Sequence, residues 1–213
     1  MTVARFFDWF QLATLAGLAC LALPRLLVLY ARGVRVLAID HHRTPKQMLA
    51  DLLSVICLLL WWYEVVAYAW PVPIHFVPPW LGIVLFDAVA VKISGAALWA
   101  GGLVIYGLAL WAFGDSWRLG IDRSRPVALV TRGIFASTRN PIYVSFNLMS
   151  VGTFLIQGRL IFLMLAIFFA GLLHLQILRE ERFLSQTQGD AYHRYRGRVG
   201  RYVTWRSAQE HSL

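Results

Sequence analysis

Two stretches of this otherwise apolar sequence hold the residue types that do chemistry. Residues 129–143 read LVTRGIFASTRNPIY and join a charged loop to a hydrophobic run. Residues 179–199, REERFLSQTQGDAYHRYRGRV, follow the next hydrophobic run. In the first stretch Pro141 disfavours helix at Asn140 and suits a first helical turn, so a helix is predicted to start there with unpaired amides. With Gly133 nearby to permit close backbone approach, such a start suits a carboxylate. In the second stretch the paired carboxylates Glu180 and Glu181 suit a cation, and Arg198, or Arg201 just beyond the stretch, an anion. Taken singly, these features read equally well as an ordinary helix start, a solvated acidic pair and a basic tail in contact with lipid.

The elements that position these stretches are set by composition. Hydrophobic residues make up 59% of the 213 and charged ones only 15%, and apolar runs of about 20 residues recur, the length that crosses a bilayer. The expected fold is all-α: a polytopic membrane protein of about five transmembrane helices. Residues 1–213 form one domain. The first span covers residues 6–23 and continues past Pro24 and Arg25 to Tyr30. It is read as a retained helix rather than a signal peptide. The second covers 49–70, the third 93–113, the fourth 141–156 and the fifth 160–178, and the last two are joined by the tight turn Gln157-Gly158-Arg159. Residues 81–92 are too short to span and read as an interfacial lead-in. Gly95, Ala96, Gly101, Gly102 and Gly107 make the third span one that another helix can approach closely.

Several polar residues have plainer readings. The adjacent His41 and His42 point in different directions and lack a completing ligand pattern, so no metal site is expected. Cys20 and Cys57 are lone thiols within apolar runs and imply neither a metal nor a disulfide. Glu64, near Trp61, Trp62 and Tyr63, faces either a polar cavity or the membrane interface. His174 lies seven residues before Glu181 on nearly the same helix face, and is expected to be structural rather than part of a polar cavity.

Sixteen of the twenty Lys and Arg residues fall in residues 31–46, 114–140 and the tail from Arg179. The positive-inside rule puts those segments together in the cytoplasm, with the amino terminus outside and the carboxyl terminus inside. The net charge of +9 is then accounted for by insertion bias and anionic lipid headgroups, and nucleic acid is not an expected partner.

The run from Leu129 through Gly133 to Arg139-Asn140-Pro141-Ile142-Tyr143, followed by Glu180-Glu181, Leu184, Gly189, Tyr192, Tyr195, Val199 and Arg201, resembles bacterial relatives of isoprenylcysteine carboxyl methyltransferases. Phospholipid methyltransferases share the pattern. The resemblance covers the carboxyl-terminal third to two fifths of the chain, and the amino-terminal helices match only in kind. It implies an S-adenosylmethionine-dependent methyltransferase of the bacterial inner membrane, with a cytoplasmic cofactor-binding cap and residues 129–203 as the cofactor-binding half. The methyl acceptor would be lipophilic and reach the cytoplasmic face from the bilayer: an isoprenylcysteine-type carboxylate or a related group. Alternatives are a phospholipid amine or small thiol, or a membrane scaffold or transporter without enzymatic activity. The resemblance places Leu129, Val130, Thr131, Gly133, Asn140, Pro141, Tyr143, Glu180 and Glu181 at the cofactor, and Glu181 and Arg201 in catalysis. Many members have His where this chain has Asn140. Asn keeps a neutral donor but is no proton acceptor near neutrality, so a positioning role carries over and a general-base role does not.

Overall fold

The computed structural model describes residues 2–31, 44–70, 75–113 and 129–204. They form five helices: α1 (Val3–Ala31), α2 (Pro45–Ala69), α3 (Val89–Phe113), α4 (Pro141–Gln157) and α5 (Leu160–Arg198). No strand occurs among the described residues, and the only β feature is an isolated bridge between Val84 and Arg159. Four of the helices, α1, α2, α3 and α5, are long and apolar enough to cross a membrane. This is a membrane protein, all-α and polytopic. α4 has 17 residues and a length of about 26 Å, somewhat less than the roughly 30 Å of a hydrocarbon core. Every residue of it but Val151 is buried or half-buried.

α3 and α4 make the closest pair, and the reason is a seam of small residues. A Cβ on Gly95 would lie 2.7 Å from the Gly152 carbonyl oxygen, one on Gly102 would lie 2.8 Å from both Ser145 O and Met149 Cγ, and one on Gly152 would lie 2.9 Å from the Trp99 amide nitrogen. Nothing larger than hydrogen fits there, so the two backbones pack directly. The indole of Trp99 donates to Thr153 Oγ1 at 3.2 Å across this seam. Gly101, by contrast, would meet nothing.

The helices alternate in direction, so the described ends sort into two groups. At one end the start of α1, the end of α2 and the α4–α5 turn meet: Trp9 packs edge-on against Trp70, and Gln157 Nε2 donates to the fully buried Gln11. Glu64 is also fully buried here, with its Oε2 3.0 Å from His75 Nδ1. The carboxylate left open by the sequence between cavity and interface is thus covered by the segment that follows α2. The sharp α4–α5 turn rests on Gly158 (φ +61), where a Cβ would come within 2.0 Å of the Phe86 carbonyl oxygen.

At the opposite end α2 starts with a capping box, in which Thr44 Oγ1 accepts from the Gln47 amide and the Gln47 side chain accepts from the Thr44 amide. Here too α5 leaves the apolar region and continues as a helix, so the polar tail expected from Arg179 onward is an extension of the fifth span. Its course breaks at Gly189, whose φ of +47 and ψ of −125 are not helical. Beyond the break Tyr192, Tyr195 and Val199 form a small separate core with Leu129 and Leu184.

Candidate functional site

The site is built where the start of α4, the emerging part of α5 and residues 199–204 converge. Residues 133–136 form a short 3-10 turn, and Gly133 enters it with φ +62. Phe135 of this turn is buried edge-on against Phe113, at the end of α3. The Tyr195 hydroxyl donates to the Phe135 carbonyl at 2.7 Å. Asn140 is the residue before α4 and Pro141 its first, as Pro141 dictates. No side chain caps this helix, which leaves the amides of its first turn without a partner from a capping residue.

Residues 199–204 run back against this start and are clasped mainly through main-chain groups. The Arg139 amide donates to the Gly200 carbonyl at 3.0 Å, and the Thr204 amide to the Ser137 carbonyl at 2.9 Å. Thr138 Oγ1 and Asn140 Nδ2 both donate to the Arg201 carbonyl, each at 3.1 Å. The Asn140 amide donates to Thr138 Oγ1 at 3.1 Å. Asn140 is therefore a donor, as its chemistry requires, and its donors are spent on this clasp and on Glu181, whose Oε1 lies 3.4 Å from Nδ2.

Glu181 lies in the part of α5 beyond the apolar span and is the centre of a charged cluster. Arg201 donates to it through Nε, at 3.1 and 3.2 Å, and through an Nη, at 2.8 Å. Arg139 Nη2 is 3.1 Å from its Oε1. Burial alone would push this carboxyl up, but the Arg201 hydrogen bonds, the two guanidinium charges and the Asn140 amide outweigh it and hold it below the usual carboxylate range. Arg201 is held above the ordinary guanidinium range, chiefly by its hydrogen bond to Glu181.

Glu180 points elsewhere. It accepts a short hydrogen bond from the Tyr143 hydroxyl, and the Gln176 side chain bonds to both. One helical step away, Arg179 pairs with Asp51 of α2 at 2.8 Å. Tyr143 and Glu180 border a cavity of about 320 Å³, at the lower end of the range for small-molecule sites. Its polar end is formed by Arg139, Asn140, Tyr143 and Glu180, and its apolar walls by Leu26 of α1, Val55 and Leu58 of α2, Tyr106 of α3, Phe146 of α4 and Phe169 of α5.

Of the residues predicted from sequence, Asn140, Pro141, Tyr143 and Glu180 line this cavity. Glu181 and Arg201 lie next to it in the ion cluster. Leu129 packs on the Tyr192–Tyr195 core, Val130 and Thr131 are half-buried and Gly133 is exposed, so the first part of the 129–143 stretch supports the site from outside its wall. Arg198 ends α5. His174 is half-buried and bonds through Nδ1 to the Tyr202 hydroxyl at 2.6 Å, a structural contact to the returning chain rather than a place in the cavity. His41, His42 and the 114–128 part of the long loop lie outside the described residues. Sequence reasoning missed Arg139 as a site residue and Tyr192, whose hydroxyl is 3.4 Å from Arg139 Nη1. The available signal was a buried-helix start carrying an arginine, which must find a counter-ion.

The donors present suit S-adenosylmethionine. An acid at the cavity wall, an uncapped helix start and a buried guanidinium can receive the two charges of an amino-acid group, and the apolar walls can take a lipophilic partner. No group of three or more His, Cys, Asp or Glu side chains able to hold a metal occurs among the described residues. In comparison with known proteins, residues 90–191 match the phospholipid methyltransferase family, so the resemblance read in the sequence is borne out over that segment. No curated protein matches the chain.

Proposed function

We propose, from the premise that residues 90–191 match phospholipid methyltransferases, that this membrane protein transfers a methyl group from S-adenosylmethionine to a lipophilic acceptor at the end of the bundle where α4 begins. The observation that carries this reading is the cavity itself, which joins a polar end of Arg139, Asn140, Tyr143 and Glu180 to walls contributed by all five helices. When bound, the cofactor supplies an electrophilic methyl on a sulfonium. The chain's own work is to align donor and acceptor and to exclude water, and no covalent nucleophile is needed. Glu180 takes the direct role toward the cofactor's ammonium, with Tyr143 fixing its carboxyl group. Glu181 acts one layer behind by holding Arg139 and Arg201. Asn140 and Thr138 fasten residues 199–204 over the helix start.

The charge count puts this end in the cytoplasm, in keeping with an acceptor that arrives from the bilayer. Among acceptors, an isoprenylcysteine-type carboxylate is one reading. A lipid amine is a second, favoured by the match of residues 90–191 to phospholipid methyltransferases. Titration of the detergent-solubilised protein with S-adenosylmethionine tests the class, because a folded protein that does not bind it is not this enzyme. Labelled-methyl incorporation into a prenylated cysteine and into phosphatidylethanolamine, measured side by side, decides the acceptor.

A further inference from the structure

We propose that Arg139 is an anion receptor in the cavity wall, the counterpart of Glu180, so that the polar end is built for a zwitterion with its cationic and anionic groups a few atoms apart. This rests on the methyltransferase reading of the same cavity.

Three observations carry it. The Arg139 side chain is only 7% exposed, it lines the cavity, and its Nε is buried with no hydrogen-bond partner. A guanidinium donor left unspent in a dry environment costs free energy, and native structures leave very few of them unpaired. The charge balance points the same way. Glu181 is shared by two guanidinium groups, Arg139 at 3.1 Å and Arg201 at 2.8 Å, so the cluster carries a surplus positive charge. Glu180 is bonded to the neutral Tyr143 hydroxyl and Gln176 side chain and is the partner for the cationic group, while Asp51 is paired with Arg179. Glu181 and the Tyr192 hydroxyl fix two of the Arg139 nitrogens, which gives the guanidinium a set orientation before any ligand arrives. A planar fork of this kind suits a carboxylate or a phosphate. Both chemistries have a source in the proposed reaction, the amino-acid end of the cofactor and the headgroup of a phospholipid acceptor.

The test is Arg139→Gln in the full-length protein, with S-adenosylmethionine and its decarboxylated analogue titrated separately into parent and variant. The variant leaves no orphaned carboxylate, because Glu181 keeps Arg201. If the anion is the cofactor's carboxylate, the variant loses roughly tenfold to a hundredfold in affinity for S-adenosylmethionine and little for the analogue, the span expected of one charged hydrogen-bonded contact. If the anion is the acceptor's phosphate, both cofactor forms bind as in the parent, and the KM for a phospholipid acceptor rises by a similar factor while that for a phosphate-free acceptor does not. Either result supports an anion receptor and names its source. Equal weakening of both cofactor forms, or no change with any ligand, overturns it. Should Arg139→Gln elute unfolded, Arg139→Lys, which keeps the charge but not the fork, is subjected to the same comparison. A parent protein that binds neither cofactor form overturns the methyltransferase reading and this assignment together, whereas a parent that binds and a variant unchanged toward both cofactor forms and both acceptors overturn this assignment alone.

Discussion

At the scale of single residues, the cluster around Glu181 links stability to pH in a direction set by its ion pairs. The folded-state carboxyl is held below its ordinary value near 4.5, so its contribution is fully present above that value and is lost as pH falls through the depressed range. The expected result is a melting temperature in detergent that drops below pH 4.5, with a shallower drop in Glu181→Gln, which has no carboxylate to lose. An unchanged slope in the variant would remove Glu181 from the stabilising cluster. Asn140 gives a second test. Its Nδ2 bonds to the Arg201 carbonyl and approaches Glu181, so Asn140→Leu strips both and is expected to cost about 1–3 kcal/mol of stability. Asn140→His keeps one donor and should fall between parent and Leu variant, as read from thermal unfolding beside S-adenosylmethionine affinity. Equal stability and affinity in all three forms would leave Asn140 without a role. The sequence showed that Asn140 donates and cannot act as a base near neutrality. It did not show the acceptor, because a main-chain carbonyl 61 residues away has no signature in residue type.

At the scale of elements, what was legible followed from local rules, and what was not followed from contacts distant in sequence. The start of α4 at Pro141 was set by the proline, and the end of the fourth span by the Gly158 turn. The small residues of α3 signalled a close partner, but only Gly95 and Gly102 meet one, since helical phase decides which glycine faces α4. The fifth span was read to stop near Leu178 because its apolar run stops there. The helix goes on past it to Gly189 and, beyond the break there, to Arg198, because Leu184, Tyr192, Tyr195 and Val199 bury themselves in a separate small core, too sparse a pattern to stand out among charges. The clasp at residues 199–204 was equally hidden, because its acceptors are main-chain carbonyls. Two substitutions test these elements. Gly102→Val places a branched side chain where a Cβ alone is already 2.8 Å from Ser145 O, and is expected to destabilise the protein by about 1–3 kcal/mol or more. Gly101→Val, which meets nothing within 4 Å, is the matched control, and equal melting temperatures for the two would refute the α3–α4 seam.

At the scale of the whole molecule, the five helices alternate so that everything proposed for chemistry lies at one end and the Glu64–His75 pair at the other. In sequence, residues 31–46, 114–140 and the tail from Arg179 hold most of the basic residues, and the positive-inside rule would put them in the cytoplasm, the orientation proposed for this end. A charged cluster needs an aqueous face for its polar ligand, and an acceptor with a hydrocarbon tail needs the bilayer, so the site belongs where the bundle meets both. The arrangement predicts opposite accessibilities for the tail and for the segment after α2. Single cysteines introduced as Ser207→Cys and Phe76→Cys in a background lacking Cys20 and Cys57 report them. Phe76 is 72% exposed and serves better than His75, whose removal would leave the buried Glu64 without its partner. In sealed right-side-out vesicles an impermeant maleimide should label the Cys at 76 and spare the one at 207 until the membrane is opened. The opposite pattern would invert the topology and put the cavity's polar end outside. Labelling of both positions before permeabilisation would break the alternation of the helices, and with it the case that one end of the bundle collects the residues of the site.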